Sequence, residues 1–409
     1  MFKHKFALVM LVALGSVGLA QDWPQWRGPQ RDGVVKDFAA PAAWPDKLKL
    51  VWKTPVGGGY SSPIISQGKV WLHARQEENE VVSCLDFNTG KALWSQRYPN
   101  GFKKNQYAKD MSAGPFSTPL LYQGKLYTLG VNAVLSCFDA ATGALKWRKE
   151  FGAPDTSKMF CGTAMSPVVE DGAIIVHTGD DIRGGLMTAF DAATGKERWK
   201  LECDGPGYAS PIVATLGGVR QLVTMTRKSV IGVDARNGRL LWTMPWSDEW
   251  DENIVTPLQF NDLLILSGVR KGTVAVRVIK EGASWVTKTA WQKAELTMYM
   301  NSPVLEGAHL YGFTNKRKGQ LFCLEAATGK VLWMTEGRDG ANAALLNTPA
   351  ALLMLTADAN LFVVQKSAAG FKQLAKYAVA DSATYAHPVV TGKRILVKDD
   401  ATLTLWSLE

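Results

Sequence analysis

Apolar residues in this chain fall in short runs separated by polar clusters. Pro63-Ile64-Ile65, Val70-Trp71-Leu72, Val81-Val82-Ser83-Cys84-Leu85 and Ala92-Leu93-Trp94 are four such runs in one stretch, and their shortness and their β-branched and aromatic content predict strands. The polar breaks predict the turns. In Phe138-Asp139-Ala140-Ala141-Thr142-Gly143-Ala144-Leu145-Lys146-Trp147 an apolar strand ends at an acid whose carboxylate can accept turn N–H groups. Gly143 supplies a positive φ, and a second strand carries Trp147.

This hairpin recurs. Asp86 to Gly90 leads to Trp94, Asp191 to Gly195 leads to Trp199, Asp234 to Gly238 leads to Trp242, and Glu325 to Gly329 leads to Trp333. A second signature precedes each copy: Ser62-Pro63, Thr118-Pro119, Ser166-Pro167, Ser210-Pro211, Thr256-Pro257, Ser302-Pro303 and His387-Pro388. A period of roughly 45–55 residues built of strands and turns points to propeller blades or a β-solenoid, and four strands per period make one blade. Counting the prolines and a degenerate start near Ala344 predicts eight blades. The fifth copy has lost its acidic turn across residues 278–284, and the seventh has Tyr377 where Trp is expected.

The chain ends decide between ring and solenoid. Leu48-Lys49-Leu50-Val51-Trp52-Lys53 matches a last strand with no first three before it, whereas the runs at Val389-Val390, Ile395-Leu396-Val397 and Leu403-Thr404-Leu405-Trp406 have no fourth after them. Both ends are apolar strands wanting a partner, while a solenoid would end in polar caps. The prediction is an all-β, eight-bladed propeller of four-stranded antiparallel blades, closed by the N-terminal strand. Outer tryptophans would fill the widening wedge between sheets. The Ser and Thr before each proline would suit crowding at the axis, or line a ligand channel.

Met1 to Ala20 has Lys3 and Lys5, an uncharged apolar run and a Gly18-Leu19-Ala20 cleavage site, the pattern of a secretory signal peptide. The expected layout is a signal at 1–20, a Trp- and Pro-rich arm at 21–48 packed on the ring, and the propeller at 49–409. No Cys follows the expected cut, so a soluble periplasmic or secreted monomer with no transmembrane span is expected. Hydrophobic residues are 46% of the chain and the formal charge is +9. The basic residues are interspersed with acidic ones, which argues against a nucleic-acid surface. Cys84, Cys137 and Cys323 hold one repeat position in different blades and are expected as buried thiols. A bridge between Cys161 and Cys203 is left open.

The Asp-Ala-x-Thr-Gly-x-x-x-Trp copies resemble the Trp-docked blades of pyrroloquinoline quinone (PQQ) propeller proteins. With the Trp23-Pro24-Gln25-Trp26-Arg27-Gly28-Pro29 opening, the chain is most similar to exported PQQ-like repeat proteins related to the outer-membrane assembly lipoprotein BamB. That resemblance implies a non-catalytic binding or scaffolding module with no cofactor, whose partners are envelope or outer-membrane proteins or a small ligand at the ring face. The missing lipidation Cys departs from BamB. The adjacent Cys-Cys pair of quinoprotein alcohol dehydrogenases and a haem-attaching Cys-x-x-Cys-His are missing too.

The alternative is a PQQ- and calcium-dependent dehydrogenase oxidising alcohols or sugars, which needs hard oxygen ligands and a base converging on one face. Inter-blade loops and the middle turn of each blade share a face. The ligand-binding candidates collected there are Tyr107, Asp180, Arg183, Trp250, Asn301, Tyr385 and His387. Tyr107 is in the longest inter-blade loop, beside Lys109 and Asp110. Asp180 and Arg183 are in a middle turn with Asp181, and Trp250 is in the acidic stretch Trp246 to Asn253. Asn301, Tyr385 and His387 stand at inner-strand starts. The plain readings are turn-forming aspartates, a solvated acidic loop and a packed histidine.

Overall fold

The computed structural model describes residues 22–157, 159–180 and 182–409. The expected signal segment and Asp181 lie outside the described residues. Eight antiparallel four-stranded sheets follow one another, spanning residues 64–99, 120–150, 168–203, 212–245, 258–293, 304–334 and 343–378 for blades 1 to 7. Blade 8 combines residues 389–407 with the N-terminal strand Lys49–Pro55. Leu50 pairs with Trp406, Lys53 with Thr404 and Thr54 with Leu403. The lone N-terminal strand thus completes the last sheet and shuts the ring.

Hydrophobic cores lie between neighbouring blades. Ile64, Trp71, Val82 and Cys84 of blade 1, for example, pack on Leu126 and Phe138 of blade 2. The repeated turn is a lock between blades. Asp139 Oδ1 accepts from the Thr142 amide and hydroxyl, both at 3.0 Å. Gly143 at φ +74° lies so close to the Trp94 ring of the preceding blade that a Cβ would stand 2.6 Å from it. Trp94 Nε1 donates to Ala140 O at 3.1 Å. Trp52, Trp199 and Trp291 dock in the same way on the turns that end at Gly90, Gly238 and Gly329. These four tryptophans therefore do more than fill a wedge, because each bonds the next blade's turn.

The lock explains the Cys positions. Cys84, Cys137 and Cys323 stand directly across the ladder from Trp94, Trp147 and Trp333, where Ala189 and Gly232 face Trp199 and Trp242. A small residue is needed beside the indole. All five cysteines are free thiols, Cys161 and Cys203 included. Where the fifth turn is missing, Trp242 Nε1 donates instead to Gln221 Oε1 at 2.6 Å. In blade 7, the Tyr377 hydroxyl donates to Pro45 O at 2.9 Å.

The packing predicts a paired result. Gly143→Ala must displace the Trp94 ring and tolerate a positive φ, and it is expected to cost about 2–4 kcal/mol. Gly124→Ala, at φ +69° with nothing within 4 Å of its Cβ, bears only the backbone cost of about 1 kcal/mol. Urea melts of the two variants measure the difference, and equal midpoints would remove the docking lock.

The N-terminal arm occupies the ring axis. It runs over one end of the ring, where Trp23 pairs with Ile65, Val35 N donates to Asn347 O at 2.8 Å and Ala39 N to Gly392 O at 2.9 Å. From there Trp26, Arg27 and Arg31 enter the channel. Arg31 is buried and donates to Pro211 O, Pro167 O and Ser166 O at 2.8, 2.9 and 3.1 Å. Arg27, also buried, donates through Nη2 to Pro303 O at 2.5 Å. Proline at an inner-strand start needs no donor partner and leaves its carbonyl toward the axis, where the arginines use it.

Candidate functional site

Each strand reverses the chain, so inter-blade loops and middle turns gather at one end of the ring and the other turns gather at the opposite end. The arm closes the latter. At the loop end, on the axis, is a cavity of about 370 Å³. Its lining follows the phase of the repeat. Tyr60, Phe116, Ala164, Tyr208, Ile254, Met300 and Tyr385 line it, and each stands three residues before the proline of its blade. Ser166, Ser210, Thr256, Ser302 and His387, immediately before their prolines, form the inner ring, and Trp26 of the arm enters from below.

The inner hydroxyls are structural acceptors. His387 N donates to Ser62 Oγ at 2.9 Å, Ser62 N to Thr118 Oγ1 at 3.2 Å, Thr118 N to Ser166 Oγ at 3.0 Å and Ser166 N to Ser210 Oγ at 2.9 Å. Thr256 N donates likewise to Ser302 Oγ at 3.2 Å. At five of the eight junctions a hydroxyl thus satisfies the edge N–H of the neighbouring blade, a reason for Ser and Thr that crowding alone does not supply. Thr256 Oγ1 accepts from Trp26 Nε1 at 3.2 Å, which ties the arm into this ring.

The walls are aromatic. Tyr60 packs on Tyr385 at 4.5 Å and on Phe116 at 5.7 Å between ring centroids. Tyr208 Oη accepts from Phe160 N at 3.0 Å. Tyr299 Oη donates to Glu252 Oε1 at 3.1 Å. Burial dominates the electrostatics. It pushes Tyr60 up to about 12 and the Cys161 thiol up to about 12, and it holds His387 down at about 3 with help from the Arg27 charge. The phenols, thiol and imidazole are therefore neutral near pH 7. Glu252 is raised by burial, against the opposing Tyr299 hydrogen bond.

Of the candidate residues, Tyr107, Asn301, Tyr385 and His387 line this cavity. Trp250 stands at its rim, 47% exposed, with its ring 6.2 Å from that of Phe160. Asp180 and Arg183 are not among the lining residues. Asp180 is buried and bonds the Arg183 side chain at 2.6 Å and the Arg183 and Ile182 amides, so it builds the middle turn of blade 3. Trp26, Tyr60, Phe116, Phe160, Tyr208, Glu252 and Tyr299 complete the site. The signal for several of them was the Pro-minus-three position, legible once the repeats are aligned. Trp26, Phe160 and Tyr299 carry no such phase.

A ring of eight four-stranded blades, in which five acidic Gly turns each receive the Trp of the preceding blade, defines a PQQ-like β-propeller. Over residues 78–335, more than half of its length, the chain matches the family described as "Outer membrane protein assembly factor BamB", and it belongs to that family. It is 24% identical over 203 residues to the outer membrane protein assembly factor BamB of Yersinia pestis, covering 47% of this chain and 47% of that one. The chain thus spans about half the length of that relative. Two solved structures share the fold. Quinohemoprotein alcohol dehydrogenase from Comamonas testosteroni has a TM-score of 0.67 at 15% identity, covering 95% of this chain and 80% of its own. BamB from Moraxella catarrhalis has a TM-score of 0.59 at 16% identity, covering 88% and 99%. No helix among the described residues is long and apolar enough to cross a membrane.

Proposed function

We propose that this chain is an exported, non-catalytic PQQ-like propeller that holds an envelope protein or a ligand at its open face, as a BamB-like binding module. The observation that carries this reading is the make-up of the cavity. Its walls are aromatic, its phenols, thiol and imidazole are neutral, and the arm blocks the opposite end of the axis. Such a lining offers contact area and few charges, which suits binding better than proton transfer. The rim adds Tyr107, 74% exposed, and Trp250, of the aromatic type enriched in protein contacts.

The residues present do not fit PQQ with calcium. The ion takes six to eight oxygens, commonly from several carboxylates. The described residues gather no group of three or more His, Cys, Asp or Glu able to hold a metal. The one carboxylate lining the cavity, Glu252, is bonded to Tyr299 and has a raised proton affinity. The test places a photo-crosslinking residue at position 107, at 250 or, on an outer strand, at 93. Discrete envelope adducts are expected from the first two positions and none from the third. Dye reduction with an alcohol or sugar by the purified chain supplied with PQQ and calcium would overturn the proposal.

A further inference from the structure

Two polar side chains lining the cavity lack partners. Asn301 and His387 are each 4% exposed, and Asn301 Nδ2, Asn301 Oδ1 and His387 Nδ1 have no hydrogen-bond partner within the protein. Polar groups so buried are normally satisfied, and a bound molecule is one way to do it. The two residues belong to blades 6 and 8, and consecutive arm residues link them. Trp26 packs edge-on against the His387 ring at 4.5 Å. Arg27 holds Pro303 O, two residues beyond Asn301.

Arg27 sets the charge. Its Nε and Nη1 have no partner within the protein, its two bonds go to the carbonyls of Asp32 and Pro303, and the nearby Asp32 carboxylate offsets only part of its charge. Arg31 likewise donates only to neutral oxygens. Burial lowers Arg27 to about 10 and Arg31 to about 9, both still charged at neutral pH. Two guanidinium charges therefore stand behind an aromatic cavity whose one carboxylate is already bonded to Tyr299. In so dry a place an anion is favoured.

We propose that the inner end of the cavity binds a carboxylate that carries an adjacent N–H on an aromatic or large apolar body. This is the chemistry of an N-acyl amino acid or of the last residue of a peptide. The carboxylate accepts from Asn301 Nδ2 and from the Nδ1–H tautomer of neutral His387, under the field of Arg27. The adjacent N–H donates to Asn301 Oδ1, which a bare anion would leave unpaired. The apolar body lies against Tyr60, Phe116 and Tyr385. Capture of a chain-terminal carboxylate is an established mode of peptide recognition.

The inference rests on the reading of this cavity as a binding site and is independent of which envelope partner uses it. The test is titration calorimetry of the full chain with N-acetylphenylalanine, with its carboxamide, and with a short peptide ending in phenylalanine with a free carboxylate. The acid is expected to bind about tenfold or more tightly than the carboxamide, the worth of a charge-assisted hydrogen bond. Asn301→Leu is expected to weaken the acid by a similar factor while keeping its melting temperature. Leu93→Ala, on an exposed outer strand away from the cavity, is expected to leave binding unchanged. A peptide stronger than the small acid assigns the chain end, and the reverse assigns the small acid. Equal affinity for acid and carboxamide, indifference to Asn301→Leu, or no heat with acid or peptide at millimolar concentration overturns the inference. Adducts persisting at positions 107 and 250 would then leave the binding-module reading standing, whereas their loss would remove that reading instead.

Discussion

A chain beginning at Val56 is expected to lose cooperative unfolding, while one beginning at Lys49 keeps a single transition at a lower temperature. The difference is the strand Lys49–Pro55. It covers the edge of Thr402–Ser407 and carries Trp52, which is buried, bonds Phe87 O at 2.8 Å and packs on Gly90 of blade 1. Removing one buried Trp costs about 3–5 kcal/mol. Losing the ladder beside it exposes a long unpaired edge. Together these approach the roughly 5–15 kcal/mol that keeps an ordinary domain folded. Far-ultraviolet circular dichroism through a urea series is the measurement. Identical transitions for the two chains would mean that the ring is not held by this closure.

Arg31→Ala is expected to destabilise by about 3–5 kcal/mol, and Arg31→Lys by roughly half as much. Two effects oppose each other. Burial disfavours the charge and lowers its proton affinity to about 9, so deleting it relieves a desolvation cost. Deletion also strands the carbonyls of Ser166, Pro167 and Pro211 in a closed channel, at about 1–3 kcal/mol for each unsatisfied group. Three acceptors from two blades outweigh one relieved charge, because the planar guanidinium reaches them at once. A lysine ammonium is a point charge and cannot span the same fan. Thermal melts of both variants decide it. A stabilised Arg31→Ala would show that the arm is dispensable to the ring.

Much of the fold was legible because it repeats. One Asp-Ala-Ala-Thr-Gly turn says little, but five copies at a steady distance from a Ser-Pro or Thr-Pro establish strand order, blade count and which turns share a face. The drifted copies were legible as exceptions. How Trp242 turns to Gln221 and Tyr377 to Pro45 was not, because Gln221 stands at a position the repeat motif does not specify and Pro45 belongs to the aperiodic arm. Among site residues, Tyr385, Asn301 and His387 were found through their place at inner-strand starts, and Tyr107 through its loop. Asp180 and Arg183 shared the correct face, yet their charges close on one another instead of on the axis.

By itself the sequence determined the ring. The hairpin period, the proline phase and the complementary ends are local and periodic properties, and each blade needs only its neighbours. Tertiary structure alone decided what fills the ring. Trp26, Arg27 and Arg31 belong to an aperiodic arm, and their destination depends on carbonyls and hydroxyls contributed by blades more than a hundred residues away. No local propensity encodes such a meeting, since it exists only after all the inner strands have converged on one axis.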